Sequence, residues 1–135
     1  MVTSPCLMSP SCLNDLVIVV VEDHDDARRY LDLFLGQLGA KVVVASNALE
    51  GLRAIKNTLP NLVLSDIKMP GMDGFELLEN IRALGPDAGG NVLVIAMSAF
   101  FSLADRARIH HADFRACLPK PFTPDKLVET ILGVL

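Results

Sequence analysis

Residues 16–26 read Leu16-Val17-Ile18-Val19-Val20-Val21-Glu22-Asp23-His24-Asp25-Asp26. Six apolar residues, mostly β-branched and without polar alternation, suit a strand covered on both faces, as in a parallel sheet flanked by helices. The run stops at a block of acids, so charge is confined to the strand's end. Working outward, short apolar runs recur at 41–45, 62–65, 92–97 and 116–119, which predicts five strands.

Between the runs, apolar residues return every three or four positions. Ala27, Tyr30, Leu31, Phe34, Leu35 and Leu38 form one helical stripe that Gly39 ends; Ala48, Leu49, Leu52 and Ile55 form a second, capped by Ser46 or Asn47 and followed by Pro60. Phe75, Leu77, Leu78 and Ile81, then Leu103 and Ala107, then Leu127, Val128, Ile131 and Leu132 complete the set, and Thr123-Pro124 supplies an N-cap and a first-turn proline for the last helix. The order is a strand–helix unit repeated five times. With right-handed crossovers it gives an α/β fold, a doubly wound (βα)5 arrangement with one five-stranded parallel sheet and helices on both faces.

A chain of 135 residues has room for one domain, and 51% apolar content supports a core that needs neither a disulfide framework nor a structural metal. Residues 1–15, with Pro5, Pro10 and no periodic pattern, read as a flexible leader ahead of a domain at 16–135. A net charge of −4 argues against direct nucleic-acid binding. Cys6, Cys12 and Cys117 lack any metal-ligand spacing and read as reduced thiols, Cys117 as a packed strand residue. No Lys or Arg precedes Arg28, and no apolar run is long enough for a signal segment or a membrane span, so a soluble cytoplasmic location is expected.

In doubly wound sheets, ligands bind beyond the carboxyl ends of the strands, where strand order reverses. Residues following the predicted strands are Glu22 and Asp23, then Asp66, Ser98 and Lys120. Three carboxylates crowded on one rim call for a cation, and hard oxygen ligands with room for water suit Mg²⁺. An ammonium and a hydroxyl beside them match the surroundings of a phosphoryl group, and a carboxylate there can be the nucleophile.

These residues resemble the receiver domain of two-component response regulators, the CheY-like signalling family. The resemblance rests on Glu22-Asp23, on Leu64-Ser65-Asp66-Ile67-Lys68-Met69-Pro70-Gly71-Met72-Asp73-Gly74, on Ser98-Ala99 and on Leu118-Pro119-Lys120-Pro121-Phe122, in that order at the ends of the right strands. It implies a flavodoxin-like fold in which Asp66 accepts a phosphoryl group from a phosphohistidine of a histidine kinase or phosphotransfer protein. It also implies that Asp23, Glu22 through water, Asp66 and the Lys68 main-chain carbonyl hold Mg²⁺. Lys120 would pair with phosphoryl oxygens and precede a cis Pro121. Ser98 would swing toward the phosphoryl group and change contacts to a protein target on the face of the fourth helix, fifth strand and fifth helix. The chain is then a phosphoacceptor rather than a turnover enzyme, a monomer or weak phosphorylation-dependent dimer. It either stands alone or is cut from a hybrid kinase or larger regulator.

Two positions depart from the family pattern. Cys117 stands where an aromatic usually turns inward, leaving Phe100 or Phe101 as alternative signalling groups, and Asp113 replaces a glycine expected in a left-handed turn. Rival readings are a phosphatase of the haloacid-dehalogenase kind, which needs a second Asp where Lys68 stands, and a pseudo-receiver that only offers a surface. His24, His110 and His111 read as surface histidines, and Asp25 and Asp26 as first-turn acids favoured by the helix dipole.

Overall fold

The structure is a computed structural model that describes residues 11–99 and 102–135. Strands β1 (Val17–Val21), β2 (Lys41–Ala45), β3 (Leu62–Asp66), β4 (Leu93–Ser98) and β5 (Ala116–Pro119) alternate with helices α1 (Asp25–Gln37), α2 (Ala48–Thr58), α3 (Gly74–Arg82), α4 (Leu103–His111) and α5 (Pro124–Val134). All pairings are parallel, in the order β2-β1-β3-β4-β5. The chain leaves β1 toward β2, then crosses back over β1 to β3, so strand order reverses between β1 and β3.

The unbroken apolar runs are explained by two cores. Ile18, Val20, Leu62, Leu64, Ile95 and Met97 face α1 and α5, packing on Leu31, Leu35, Leu127 and Ile131. Their alternating neighbours Val19, Val21, Val63 and Val94 face the other way, onto Ile55, Leu77 and Ile81 of α2 and α3. A small third cluster of Ile67, Phe75, Ala96 and Ile109 holds α4.

Local chemistry sets the helix starts. Asn47 rather than Ser46 caps α2, its side chain accepting from Glu50 N–H, while Glu50 accepts from Ser46 N–H. Asp73 and Glu76 form a reciprocal capping box at α3, and Thr123 accepts from Lys126 N–H ahead of Pro124 in α5. Gly39 ends α1 with φ +100°, and a Cβ there would sit 2.8 Å from Asn14 Oδ1.

That contact corrects the reading of residues 1–15 as one flexible leader. Residues 11–15 lie against the domain: Leu13 is fully buried in the α1/α5 core, and its N–H donates to Leu38 O at 2.9 Å. A single apolar residue has no periodicity to announce it. Leu13→Ala is expected to lower unfolding free energy by about 2–3 kcal/mol in a urea melt, as for other buried leucines. An unchanged midpoint would show that the segment does not pack.

The second correction concerns Asp113, expected in a left-handed turn. Among the described residues only Asp15 and Leu59 are non-glycines with positive φ. Asp113 instead receives Arg82 Nε at 2.6 Å, while the same guanidinium donates to the carbonyls of Gly90 and Val92. One arginine thus ties the end of α3 to the segments leading into β4 and β5.

Candidate functional site

Register brings the strand ends level. Val21 pairs with Ser65, Asp66 with Met97 and Ser98 with Pro119, so the residues after β1 and β5 and the last residues of β3 and β4 share one rim. Lys120 N–H donates to Ser98 O at 2.7 Å, and the Lys120–Pro121 peptide is cis. The loop after β3 folds back on itself, with Gly74 N–H donating to Ile67 O at 2.8 Å. A Cβ on Gly74 would lie 2.5 Å from the Asp66 carbonyl oxygen, so only glycine fits there.

On this rim Glu22 is fully buried, Asp66 is 5% exposed and Ser98 3%. Lys120 Nζ bonds Glu22 Oε1 and stands 3.4 Å from Asp66 Oδ2. The second Glu22 oxygen accepts from His24 N–H at 3.1 Å, and Arg28 donates to the Glu22 carbonyl at 2.9 Å. Asp23 Oδ1 is buried without a hydrogen-bond partner. Ligand atoms of Glu22, Asp23, His24 and Asp66 all fall within 4.8 Å of one another. A cleft of about 490 Å³ opens over His24 and Asp66, bordered also by Lys68, Ser98 and Lys120.

Electrostatics separate the two buried acids. Burial, helped by the negative charge of Glu22, pushes the Asp66 carboxyl up to about 7 against the pull of Lys120. Burial also works against ionised Glu22, but its bonds to Lys120 and to the His24 N–H prevail and hold it below the ordinary range. Lys120 is desolvated too, and its two carboxylates more than compensate, raising it. The ammonium therefore belongs first to Glu22, and Asp66 is the carboxylate left short of positive charge.

The structure brings Glu22, Asp23, Asp66, Ser98, Lys68 and Lys120 together. It does not do so for Cys117, which is exposed on β5 rather than packed, because β5 is a sheet edge and its outward positions meet solvent. Phe100 and Phe101 lie outside the described residues. His24, read from the sequence as a surface histidine, is exposed, yet its Nδ1 is 3.4 Å from both Glu22 and Asp23 carboxylates; sequence reasoning passed over Arg28. The adjacency of His24 to the acid pair was the available signal.

A doubly wound parallel sheet with an acid cluster at its switch point and a lysine following β5 on the same rim sets the class, a flavodoxin-like α/β domain. The family profile of the response regulator receiver domain matches residues 18–132. The chain belongs to that family. It is 38% identical over 119 residues to an uncharacterized 14.6 kDa protein of Leptolyngbya boryana, covering 88% of this chain and 89% of that one. It is also 34% identical over 118 residues to the sensor histidine kinase RcsC of Salmonella typhi, which is 87% of this chain but 12% of the kinase. Among solved structures, a CheY-like receiver domain protein from Methanospirillum hungatei superposes with TM-score 0.78 at 33% identity, covering 87% of this chain and 91% of that one. Chemotaxis protein CheY4 of Vibrio cholerae shares the fold with TM-score 0.82 at 23% identity, covering 89% and 98%.

Proposed function

We propose that this receiver accepts a phosphoryl group on Asp66 from a phosphohistidine of a histidine kinase or histidine phosphotransfer protein and thereby changes its protein contacts. The observation that carries this is a buried carboxylate at the switch point, short of cationic partners, with Lys120 Nζ at 3.4 Å and a buried Asp23 oxygen that lacks a hydrogen bond beside it. In the transfer, an Asp66 oxygen bonds to phosphorus, the phosphorus–nitrogen bond breaks, and its electron pair returns to the imidazole, which takes up a proton. Asp66 is consumed stoichiometrically, so the chain acts as a phosphoacceptor and not as a turnover enzyme.

The donor set fits Mg²⁺. Asp23 Oδ1 is buried without a hydrogen-bond partner, and clustered carboxylate oxygens are the ligands a hard cation takes. Asp23, Asp66 and the Lys68 carbonyl would hold it directly and Glu22 through water. Bound there, Mg²⁺ supplies charge neutralisation for the phosphoryl oxygens. Lys120 would exchange part of its bond to Glu22 for one to the phosphoryl group, and the Ser98 hydroxyl would turn to donate to the same group.

The route outward is supported by the small cluster behind the site. Ile67 follows Asp66 directly and packs with Phe75, Ala96 and Ile109 of α4, whose N-terminal end follows the loop after Ser98. That cluster supports a downstream contact on the face of α4, β5 and α5, and on this reading the chain works as a monomer or weak phosphorylation-dependent dimer without direct nucleic-acid contact. No helix among the described residues is long and apolar enough to cross a membrane, and the proposed site of action is the cytoplasm.

Mass spectrometry after incubation with acetyl phosphate and Mg²⁺ tests the reading. One phosphoryl mass is expected on the wild-type chain, none after Asp66→Asn, and much less with EDTA. A wild-type chain that gains no mass, or an Asp66→Asn chain that still gains it, refutes the proposal.

A further inference from the structure

The order β2-β1-β3-β4-β5 leaves β2 at the sheet edge opposite β5. Lys41 N–H donates to Leu16 O at 2.8 Å and Ala45 O accepts from Glu22 N–H at 3.0 Å, so the odd residues of β2 bond inward to β1. By the alternation of a strand, Val42 and Val44 turn their N–H and C=O groups outward, where no further strand of the described residues lies. Sheet edges are ordinarily guarded by charge, proline or a bulge. The other edge, β5, is short and ends in Pro119, whereas β2 keeps unbroken register with β1 and carries a charge only at Lys41. Val44 is exposed on this edge. Beside it, α1 lines a hollow of about 340 Å³ with Asp25, Arg28, Arg29 and Asp32. Arg28 is committed within the chain, to Asp25 at 2.5 Å and to the Glu22 carbonyl at 2.9 Å. Arg29 and Asp32 are exposed, and among the described residues neither is in an ion pair. One turn further on stands Gly36, where among the described residues a Cβ would meet nothing within 4 Å. This side of α1 therefore presents a guanidinium, a carboxylate and room for a neighbouring helix.

We propose that β2 pairs antiparallel with β2 of a second copy of this chain, joining two sheets edge to edge in a two-fold dimer. About an axis through Val43, Val42 of each chain stands opposite Val44 of the other, and each such pair exchanges both backbone hydrogen bonds. This register uses all the outward groups of Val42 and Val44, and a slip along the strand leaves some of them unpaired. It also sets Lys41 opposite Ala45 rather than opposite another Lys41. The same axis lays the two α1 helices antiparallel on one face of the joined sheet, with Arg29 of each chain facing Asp32 of the other. That self-complementarity favours a second copy over a strand of another protein. A two-fold contact needs one patch that carries both members of every pair, and this edge carries both. Backbone pairing supplies the contact, and the charges fix its register and orientation. The edge lies across the sheet from β5, so the association does not draw on Asp66 chemistry and is additional to any that phosphorylation brings about.

The test is sedimentation velocity on the unphosphorylated chain over a concentration series up to about 1 mM. A monomer–dimer equilibrium is expected, with hydrogen exchange at the Val42 and Val44 amides slowing as concentration rises. Arg29→Asp and Asp32→Arg should each weaken the dimer about tenfold or more, since each sets like charges opposite one another. Mixing the two variants in equal amounts should restore it, because every charge contact in the mixed dimer then joins opposite signs. Val44→Pro removes an outward N–H that the monomer does not use and should abolish association, with circular dichroism reporting that the fold is kept. Arg115→Glu, beside the opposite edge, should change nothing. The proposal is overturned by a chain that stays monomeric throughout, by a dimer indifferent to Arg29→Asp and Asp32→Arg, by failure of the mixture to restore it, or by loss on Arg115→Glu. Association seen only after acetyl phosphate treatment would overturn it as well. A monomeric chain that binds an extended valine-rich peptide along β2 would make a strand of another protein the occupant and overturn it too.

Discussion

In metal-free buffer at pH 8, Asp66→Asn is expected to be more stable than the wild-type chain by on the order of 3 kcal/mol, although it destroys the proposed acceptor. The folded Asp66 carboxyl titrates at about 7 where an unfolded aspartate titrates at 3.8, because burial and the charge of Glu22 oppose its ionisation. Between those values the unfolded chain has released the proton and the folded chain still holds it. Wild-type stability therefore falls as pH rises through that window and levels off above it. Asparagine keeps the shape and never ionises, so its curve lacks this slope and meets the wild-type curve near pH 4. Urea melts from pH 4 to pH 8 on both chains measure the difference. Parallel curves would mean that Asp66 carries no such penalty. Adding Mg²⁺ should narrow the gap by stabilising the wild-type chain, and EDTA should reopen it.

That penalty also says why the site belongs at a strand end. A carboxylate deeper in the sheet would meet only Leu64 and its apolar neighbours, with nothing to offset desolvation. At the rim, Asp66 is buried enough to lose water yet level with Lys120 and Asp23. The fold holds the charges in place through its core, where Leu62, Leu64, Ile95 and Met97 fix the register that aligns them.

Much of this was legible in the chain because one signal, unbroken β-branched runs ending in chemistry, reports both the parallel sheet and its active rim. Glu22, Asp66, Ser98 and Lys120 could be collected without coordinates since each follows or ends such a run. What was not legible depends on contacts distant in sequence. Leu13 looks like part of an aperiodic leader until Leu38 and the α1/α5 core receive it. Cys117 looks packed because its strand reads as apolar, and only the sheet order reveals that β5 is an edge. Asp113 reads as a left-handed turn residue because the family pattern has a glycine there, and its partner, Arg82, lies 31 residues away. The bond of Lys120 to Glu22 spans 98 residues, and no local motif encodes its precedence over the contact with Asp66.

Lys120→Met removes the ammonium while keeping a long apolar stem, and it is expected to destabilise the metal-free chain by about 3–5 kcal/mol at pH 8, the range for breaking one partner out of a buried pair. Glu22 is fully buried and its ionised form is held by that ammonium; Asp66 has the same group as its nearest cation. Without it, desolvation prevails at both carboxyls and both rise. The variant then loses stability as pH increases over a wider window than the wild-type chain does, because the folded state keeps protons that the unfolded state has released. Toward pH 4, where the variant's folded carboxyls are neutral and the unfolded acids begin to regain their protons, the loss should shrink. Adding Glu22→Gln to Lys120→Met should recover a large part of the loss at pH 8, since one of the two uncompensated carboxylates is gone, whereas Glu22→Gln alone leaves the lysine with Asp66, 3.4 Å away, as its remaining partner and destabilises. That non-additivity is the signature of a coupled pair, and a double-mutant cycle at pH 8 and pH 4 measures it. A loss that is the same at both pH values, with additive single variants, would assign Lys120 a packing role instead and leave Asp66 without the cation on which its chemistry is proposed to depend.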